Sequence, residues 1–128
     1  MTLYTLMNER ELLEITAVLK ALADPNRLRI FAELMQGDSC NCELKDNLGL
    51  APNLLSHHLK VLEKAGLVES RRDVVDGRWI YYSVNQAAAA YWHSWFKHFF
   101  NPARIQKRPV CGPERDLIRA DQVMVGSG

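Results

Sequence analysis

The chain has no apolar run approaching the roughly 18 residues that a membrane span requires, so no membrane role is expected. It has only three cysteines, an odd number that argues against a disulfide framework. It has no C-x-x-C pair and no nearby His-Asp arrangement to activate a nucleophile, which argues against a thiol oxidoreductase or other enzyme. Internal repeats and low-complexity tracts are also missing. Met1 to Arg10 lacks the basic stretch followed by an apolar one that marks a secretory leader, so the expected location is the cytoplasm, where thiols stay reduced. Net charge is almost absent: 16 Lys and Arg face 15 Asp and Glu, leaving +1. Any binding of a polyanion must therefore come from a local patch rather than from the chain as a whole.

What remains is ordinary globular material. The 128 residues are 48% hydrophobic and 24% charged, enough for one domain with a small core. Leu12, Ile15, Leu19 and Leu22 recur at helical spacing and predict a first helix over 8–22. Asp24-Pro25 is a cap followed by proline at the first helical position, and it opens a second helix carrying Leu28, Phe31, Leu34 and Met35 up to Gly37. Asp38 or Ser39 is expected to cap a short third helix ending at Leu48-Gly49. Pro52 opens a fourth, whose Leu55, Leu59 and Leu62 form a narrow core-facing stripe, and Gly66 closes it. The period then changes. Residues 67–72 and 79–84 read as strands with Asp76-Gly77 as the turn signal. A last helix from Asn85 or Gln86 to Phe100 carries Trp92, Trp95, Phe96 and Phe99 on one stripe, and Asn101-Pro102 ends it.

The order of elements predicts a mainly α fold with a β-hairpin, a winged helix-turn-helix over 1–101, followed by a loosely ordered tail over 102–128. On the fourth helix Asn53, Ser56, His57 and Lys60 fall at i, i+3, i+4 and i+7. This polar face suits the major groove of double-stranded operator DNA, where all four residue types can bond base edges or phosphates. Arg71, Arg72 and Arg78 on the hairpin are expected to grip the flanking backbone. His58 lies off that face and is expected to bond core or turn backbone.

Three segments carry a resemblance to a known family: LADPNRLRI at Leu22–Ile30, SHHLKVLEKAGLV at Ser56–Val68 and DGRWIYYSV at Asp76–Val84. Together they resemble the ArsR/SmtB family of metal-responsive repressors, from Leu22 to about Phe100. Cys40-Asn41-Cys42-Glu43-Leu44 is similar to the C-x-C-D/E-L element of the arsenic- and cadmium-sensing branch. The resemblance implies a homodimer, formed through the first and last helices, that represses a promoter when metal-free and leaves it on binding metal. The aromatic stripe of the last helix suits a dimer interface independently, because a small domain can hide few such rings.

Cys40 and Cys42 open the third helix on this reading. Residues i and i+2 of a regular helix point about 200° apart, so both sulfurs are expected to reach one ion only if the first turn distorts. Two thiolates are too few for a closed tetrahedral zinc site. Cys111 is the third thiol, and three thiolates balance a trivalent ion, As(III) or Sb(III). The commonest arsenic-sensor pattern has a third cysteine three residues after the pair; Lys45 stands there instead. Cys111 then completes the site, or the site has two sulfurs and water. A tail ligand also suits the cadmium/lead sensors of the family, so Cd(II) or Pb(II) is the alternative inducer, and a thiol redox switch the alternative mechanism. His93 and His98 lack the carboxylate partners of the zinc-sensing relatives and are read as structural or exposed.

Overall fold

A computed structural model describes residues 7–116. The N-terminal elements form in the expected order, each with a local cause. Helix α1 is Glu9–Leu22, capped by Asn8, whose side chain accepts from the Glu11 amide at 2.7 Å. Acidic Glu9 and Glu11 at its start and Lys20 at its end complement the helix dipole. Helix α2 is Pro25–Leu34, with Asp24 accepting from the amides of Asn26 and Arg27. Strand β1, Ser39–Cys40, leads into α3, Asn41–Leu48. Helix α4 is Pro52–Lys64, strands β2 and β3 are Val68–Arg72 and Ile80–Val84, and α5 is Gln86–Phe99. Two glycines permit the sharp joints: Gly49 ends α3 at φ 65° and Gly66 follows α4 at φ 78°, both in the left-handed region open to glycine.

Five helices and an antiparallel sheet make the winged helix-turn-helix that the pattern predicts. Its core is the junction of α2, α3 and α4, where Ile30, Leu44, Leu59 and Leu62 are the largest fully buried side chains. Burying one such residue is worth about 1.5–3 kcal/mol. The predicted α4 stripe is buried as expected. The α1 and α2 stripes differ. Ile15, Val18 and Ala21 face the core from α1, while Leu12, Leu13 and Leu19 are at least half exposed. In α2 Ile30 and Leu34 face inward, and Leu28 and Met35 stand outside. Both helices therefore carry a second apolar stripe, and helical spacing by itself does not say which stripe the chain covers.

The sheet has one strand more than the predicted hairpin. Its order is β1-β3-β2, with Ser39 opposite Tyr82 and Cys40 opposite Tyr81. Two residues are too few to leave a period-2 signature, so the strand was invisible in the sequence. The hairpin loop is also longer than a tight turn at Asp76-Gly77. The Asp73 amide donates to the Trp79 carbonyl at 2.8 Å, and a β-turn from Asp76 to Trp79 sits within that closure.

The chain divides into two compact units, Met1–Ser94 and Trp95–Gly128. In the second, Asn101 caps a short 3-10 turn, Pro102–Arg104. Arg104 donates to the carbonyls of His98 and Phe99, both at 2.8 Å. It thereby satisfies the end of α5, which is why the start of the predicted loose tail is tied down. The remainder of that tail, 117–128, lies outside the described residues. No helix among the described residues is long and apolar enough to cross a membrane.

Candidate functional site

Helix α3, the turn at Gly49-Leu50-Ala51 and α4 form the helix-turn-helix. Asn53, Ser56, His57 and Lys60 are all exposed, on the face of α4 opposite its buried leucines. That polar face is free to meet a groove. His58 points the other way and is buried at 4% exposure. Arg27 Nη1 lies 3.0 Å from His58 Nδ1. Arginine can only donate, so Nδ1 accepts and the ring is neutral, with its proton assigned to Nε2 on the side of Asp24. Arg27 Nε donates to the Ala21 carbonyl at 2.6 Å. One arginine therefore joins the end of α1, the start of α2 and the inner face of α4. Burial pushes the His58 pKa down, and the charge of Arg27 adds to this against the opposing effect of Asp24. The partner is side chain rather than the expected core or turn backbone.

The three hairpin arginines all have partners within the chain. Arg71 lies over the ring of Tyr81, 4.7 Å from its centroid. Arg72 donates to the Gly77 carbonyl at 2.6 Å. Arg78 clasps Asp76, its shortest contact 2.8 Å, and holds the Asp76 carboxyl below the usual range. The local charge is balanced, since Glu69, Asp73 and Asp76 offset the three arginines. Arg78 is open to solvent and Asp76 half-buried, and ion pairs at the surface are weak enough to exchange for another anion.

The thiols are not equivalent. Cys40 is buried, whereas Cys42 and Cys111 are exposed; all three are free. Cys40 itself, rather than Asp38 or Ser39, caps α3. Its sulfur accepts from the Glu43 amide, and Glu43 Oε1 accepts from the Cys40 amide, both at 3.4 Å. This is a capping box with cysteine in the serine position, and Cys40-x-x-Glu43 is its trace in the sequence. Ser39 does not serve because α3 begins at Asn41, which makes Cys40 the residue at the cap position, and the Ser39 hydroxyl donates to the Cys40 carbonyl instead. Cys40 has extended backbone, φ −80° and ψ 161°. The expectation of two sulfurs fixed about 200° apart on one helix is therefore corrected: only Cys42 is helical, and the Cys40 side chain is not bound by helical spacing. Burial pushes the Cys40 thiol up, partly offset by the Glu43 amide. Asn41, between the two cysteines, has a buried Oδ1 with no hydrogen-bond partner. Among the described residues no group of three or more His, Cys, Asp or Glu side chains is gathered to hold a metal ion. His93 and His98 are exposed on α5.

Sequence reasoning did not single out Arg27, Glu43 or Tyr81. The Glu43 signal was present, three residues after Cys40. Those of Arg27 and Tyr81 were not, because their partners lie far along the chain.

A family model described as "Bacterial regulatory protein, arsR family" matches residues 24–70. The arsenical resistance operon repressor of Staphylococcus aureus is 36% identical over 74 residues, 58% of this chain and 68% of that protein. The biofilm growth-associated repressor of Xylella fastidiosa is 34% identical over 82 residues, 64% of this chain and 69% of that protein. Among solved structures, the homodimeric winged helix-turn-helix DNA-binding domain Mb0332 of Mycobacterium bovis matches with TM-score 0.55 and 26% identity, covering 77% of this chain and 96% of that one. The matched span includes α2, α3 and α4, the elements that bury the core and present the polar face. The chain belongs to the ArsR family and is a winged helix-turn-helix transcriptional repressor, not an enzyme.

Proposed function

We propose that this repressor is a cytoplasmic homodimer that holds operator DNA when its thiols are free and releases it on binding As(III) or Sb(III). The observation that carries the reading is the placement of Cys40: its sulfur is the N-cap of the first helix of the helix-turn-helix. A thiophilic ion that takes this sulfur removes the cap from the scaffold that orients α4. A side-chain cap is worth about 0.5–2 kcal/mol, while emptying a nearly saturated operator needs about 5.5 kcal/mol of differential binding. The lost cap is thus the trigger and cannot be the whole effect. The remainder comes from metal–sulfur bonds, which release on the order of 10 kcal/mol in structural thiolate sites.

The donor set suits such an ion. Cys42 is exposed for first capture, and Cys40 has a side chain free of helical spacing. Cys111, also exposed, is the third thiolate that a trivalent ion calls for. Similarity does not select the ion, because a biofilm growth-associated repressor is about as close as an arsenical resistance one; three thiols in the chain support a trivalent one.

DNA contact is assigned to Asn53, Ser56, His57 and Lys60 in the major groove, with Arg71, Arg72 and Arg78 on the flanking phosphates. Two features support a homodimer. Helix α1 leaves Leu12, Leu13 and Leu19 exposed, and α5 buries none of its residues despite Trp92, Trp95, Phe96 and Phe99. A homodimeric domain stands among its structural neighbours.

The test is a fluorescence-anisotropy titration of duplex DNA, selected by the reduced protein from a random pool, with and without arsenite. Arsenite is expected to release the DNA from wild type and from neither C40S nor C42S. Unchanged affinity in arsenite overturns the metalloid reading. Release by Cd(II) or Pb(II) alone, or by oxidant alone, moves the assignment to those inducers. For Cys111, X-ray absorption is expected to count three sulfurs around arsenic in wild type and two in C111S.

A further inference from the structure

The sheet places three residues of different purpose in one row. Cys40 on β1, Tyr81 on β3 and Arg71 on β2 are direct cross-strand partners. Directly opposite residues of an antiparallel ladder share a face, with Cβ atoms about 5 Å apart. The row therefore runs from the cap of α3 to the base of the hairpin loop. At its far end Arg71 stacks on the Tyr81 ring. The Tyr81 hydroxyl donates to Asp73 Oδ2 at 2.7 Å. The other oxygen of Asp73 accepts from the amides of Val75 and Asp76 at 2.7 and 2.9 Å. These bonds hold the loop, because the Val74 and Val75 side chains are 93% and 91% exposed and contribute no burial to it. Arg72 and Arg78 are anchored to this same loop, through Gly77 and Asp76.

We propose that Tyr81 is a positioning residue through which the state of Cys40 sets the conformation of the hairpin loop and the aim of its arginines. The regulatory meaning of this link rests on the thiol reading above; the link itself does not. Cys40 caps α3 and also lies directly opposite Tyr81 in the sheet. Drawing its sulfur away from the Glu43 amide turns the side chain and changes what packs beside the Tyr81 ring. A displaced ring moves its hydroxyl, Asp73 follows through the 2.7 Å bond, and the two loop amides follow Asp73. The sensor thus acts on the DNA-facing surface at two places, α4 through the helix scaffold and the hairpin through the sheet.

The experiment follows backbone amide resonances of the reduced 128-residue chain, with arsenite as the probe. Glu43 reports the thiol site; Val75 and Asp76 report the loop. In wild type all three are expected to shift, and in Y81F Glu43 shifts while Val75 and Asp76 stay. Shifts at Glu43 without shifts at the loop in wild type overturn the proposal, as do equal loop shifts in Y81F. If arsenite leaves Glu43 unmoved, the thiol-ligand reading fails, and C40A decides the link without a ligand. C40A is then expected to shift Val75 and Asp76 in the wild-type background and not in the Y81F background, and equal shifts in both overturn the link. D73A, which removes the partner of the Tyr81 hydroxyl, replaces Y81F should the latter not fold and carries the same expectations.

Discussion

Acidification is predicted to destabilise this protein through one residue, His58. Its ring is 4% exposed and its Nδ1 accepts from Arg27 at 3.0 Å. Protonating Nδ1 removes the acceptor and sets an imidazolium against a guanidinium with little water between them. A hydrogen bond to a charged group is worth about 1.5–3 kcal/mol, and losing it leaves buried donors unpaired. Burial first, then the charges of Arg27 and His57, lower the folded-state pKa from the ordinary 6.5, with Asp24 opposing them. The unfolded chain keeps the ordinary value, so below it the unfolded state binds more protons than the folded one. The His58 contribution is therefore complete above pH 6.5 and is lost as the pH falls through the lower folded pKa. The slope cannot exceed about 1.4 kcal/mol per pH unit for one proton. Urea denaturation from pH 7.5 to 5 checks this, comparing wild type with His58→Asn. The amide oxygen of the introduced asparagine can accept from Arg27 and does not titrate. Wild type is expected to lose stability below pH 6.5 while H58N stays flatter, the gap widening as the pH falls. Asp24, Asp73 and Asp76, whose pKa values are all lowered, lose their contributions only at pH values below the ordinary 3.8, outside this window. Parallel curves for the two proteins would refute the neutral-acceptor assignment.

Three further outcomes follow from the same geometry. Leu44→Ala opens a void where a side chain is 0% exposed and is expected to cost about 2–5 kcal/mol in chemical denaturation; a loss under about 1 kcal/mol would mean that the core is not centred there. Gly49→Ala meets no atom within 4 Å but keeps φ at 65°, so it is expected to cost about 1–2 kcal/mol from backbone strain alone, and an unchanged midpoint would contradict the left-handed joint. Lys60→Ala is expected to weaken DNA binding and to flatten the log Kd against log salt plot by about 0.9; an unchanged slope removes Lys60 from the phosphate contacts.

The helix-turn-helix was legible because each part leaves a local mark. Asp24-Pro25, Gly49, Pro52 and the Leu55, Leu59, Leu62 spacing are signals confined to a few residues, and each lies where it was read. The polar face of α4 was legible for the same reason, since the spacing that buries three leucines leaves Asn53, Ser56, His57 and Lys60 outside. The α1 and α2 stripes were only half legible. Leu12, Leu19, Leu28 and Met35 obey helical period yet stand exposed, because period identifies a stripe and not what covers it. The helix start at the thiols was read from the wrong residue. Cysteine is a weak acceptor and serine a better one, but the helix begins at Asn41, one residue too late for Ser39 to cap it.

The sequence by itself determined the fold class, the exposed polar face of α4 and the presence of a thiol pair at a helix start. These depend on propensity, period and spacing within one element. Only the tertiary structure decided what Cys40 does. Its conformation, its role as a cap and its place opposite Tyr81 follow from a two-residue strand pairing with a partner 41 positions away. The same holds for Arg27 and His58, 31 residues apart and joined by one hydrogen bond. Contacts of that separation cost loop entropy to close and leave no periodic trace. They become visible only once the core of α2, α3 and α4 has brought the chain together.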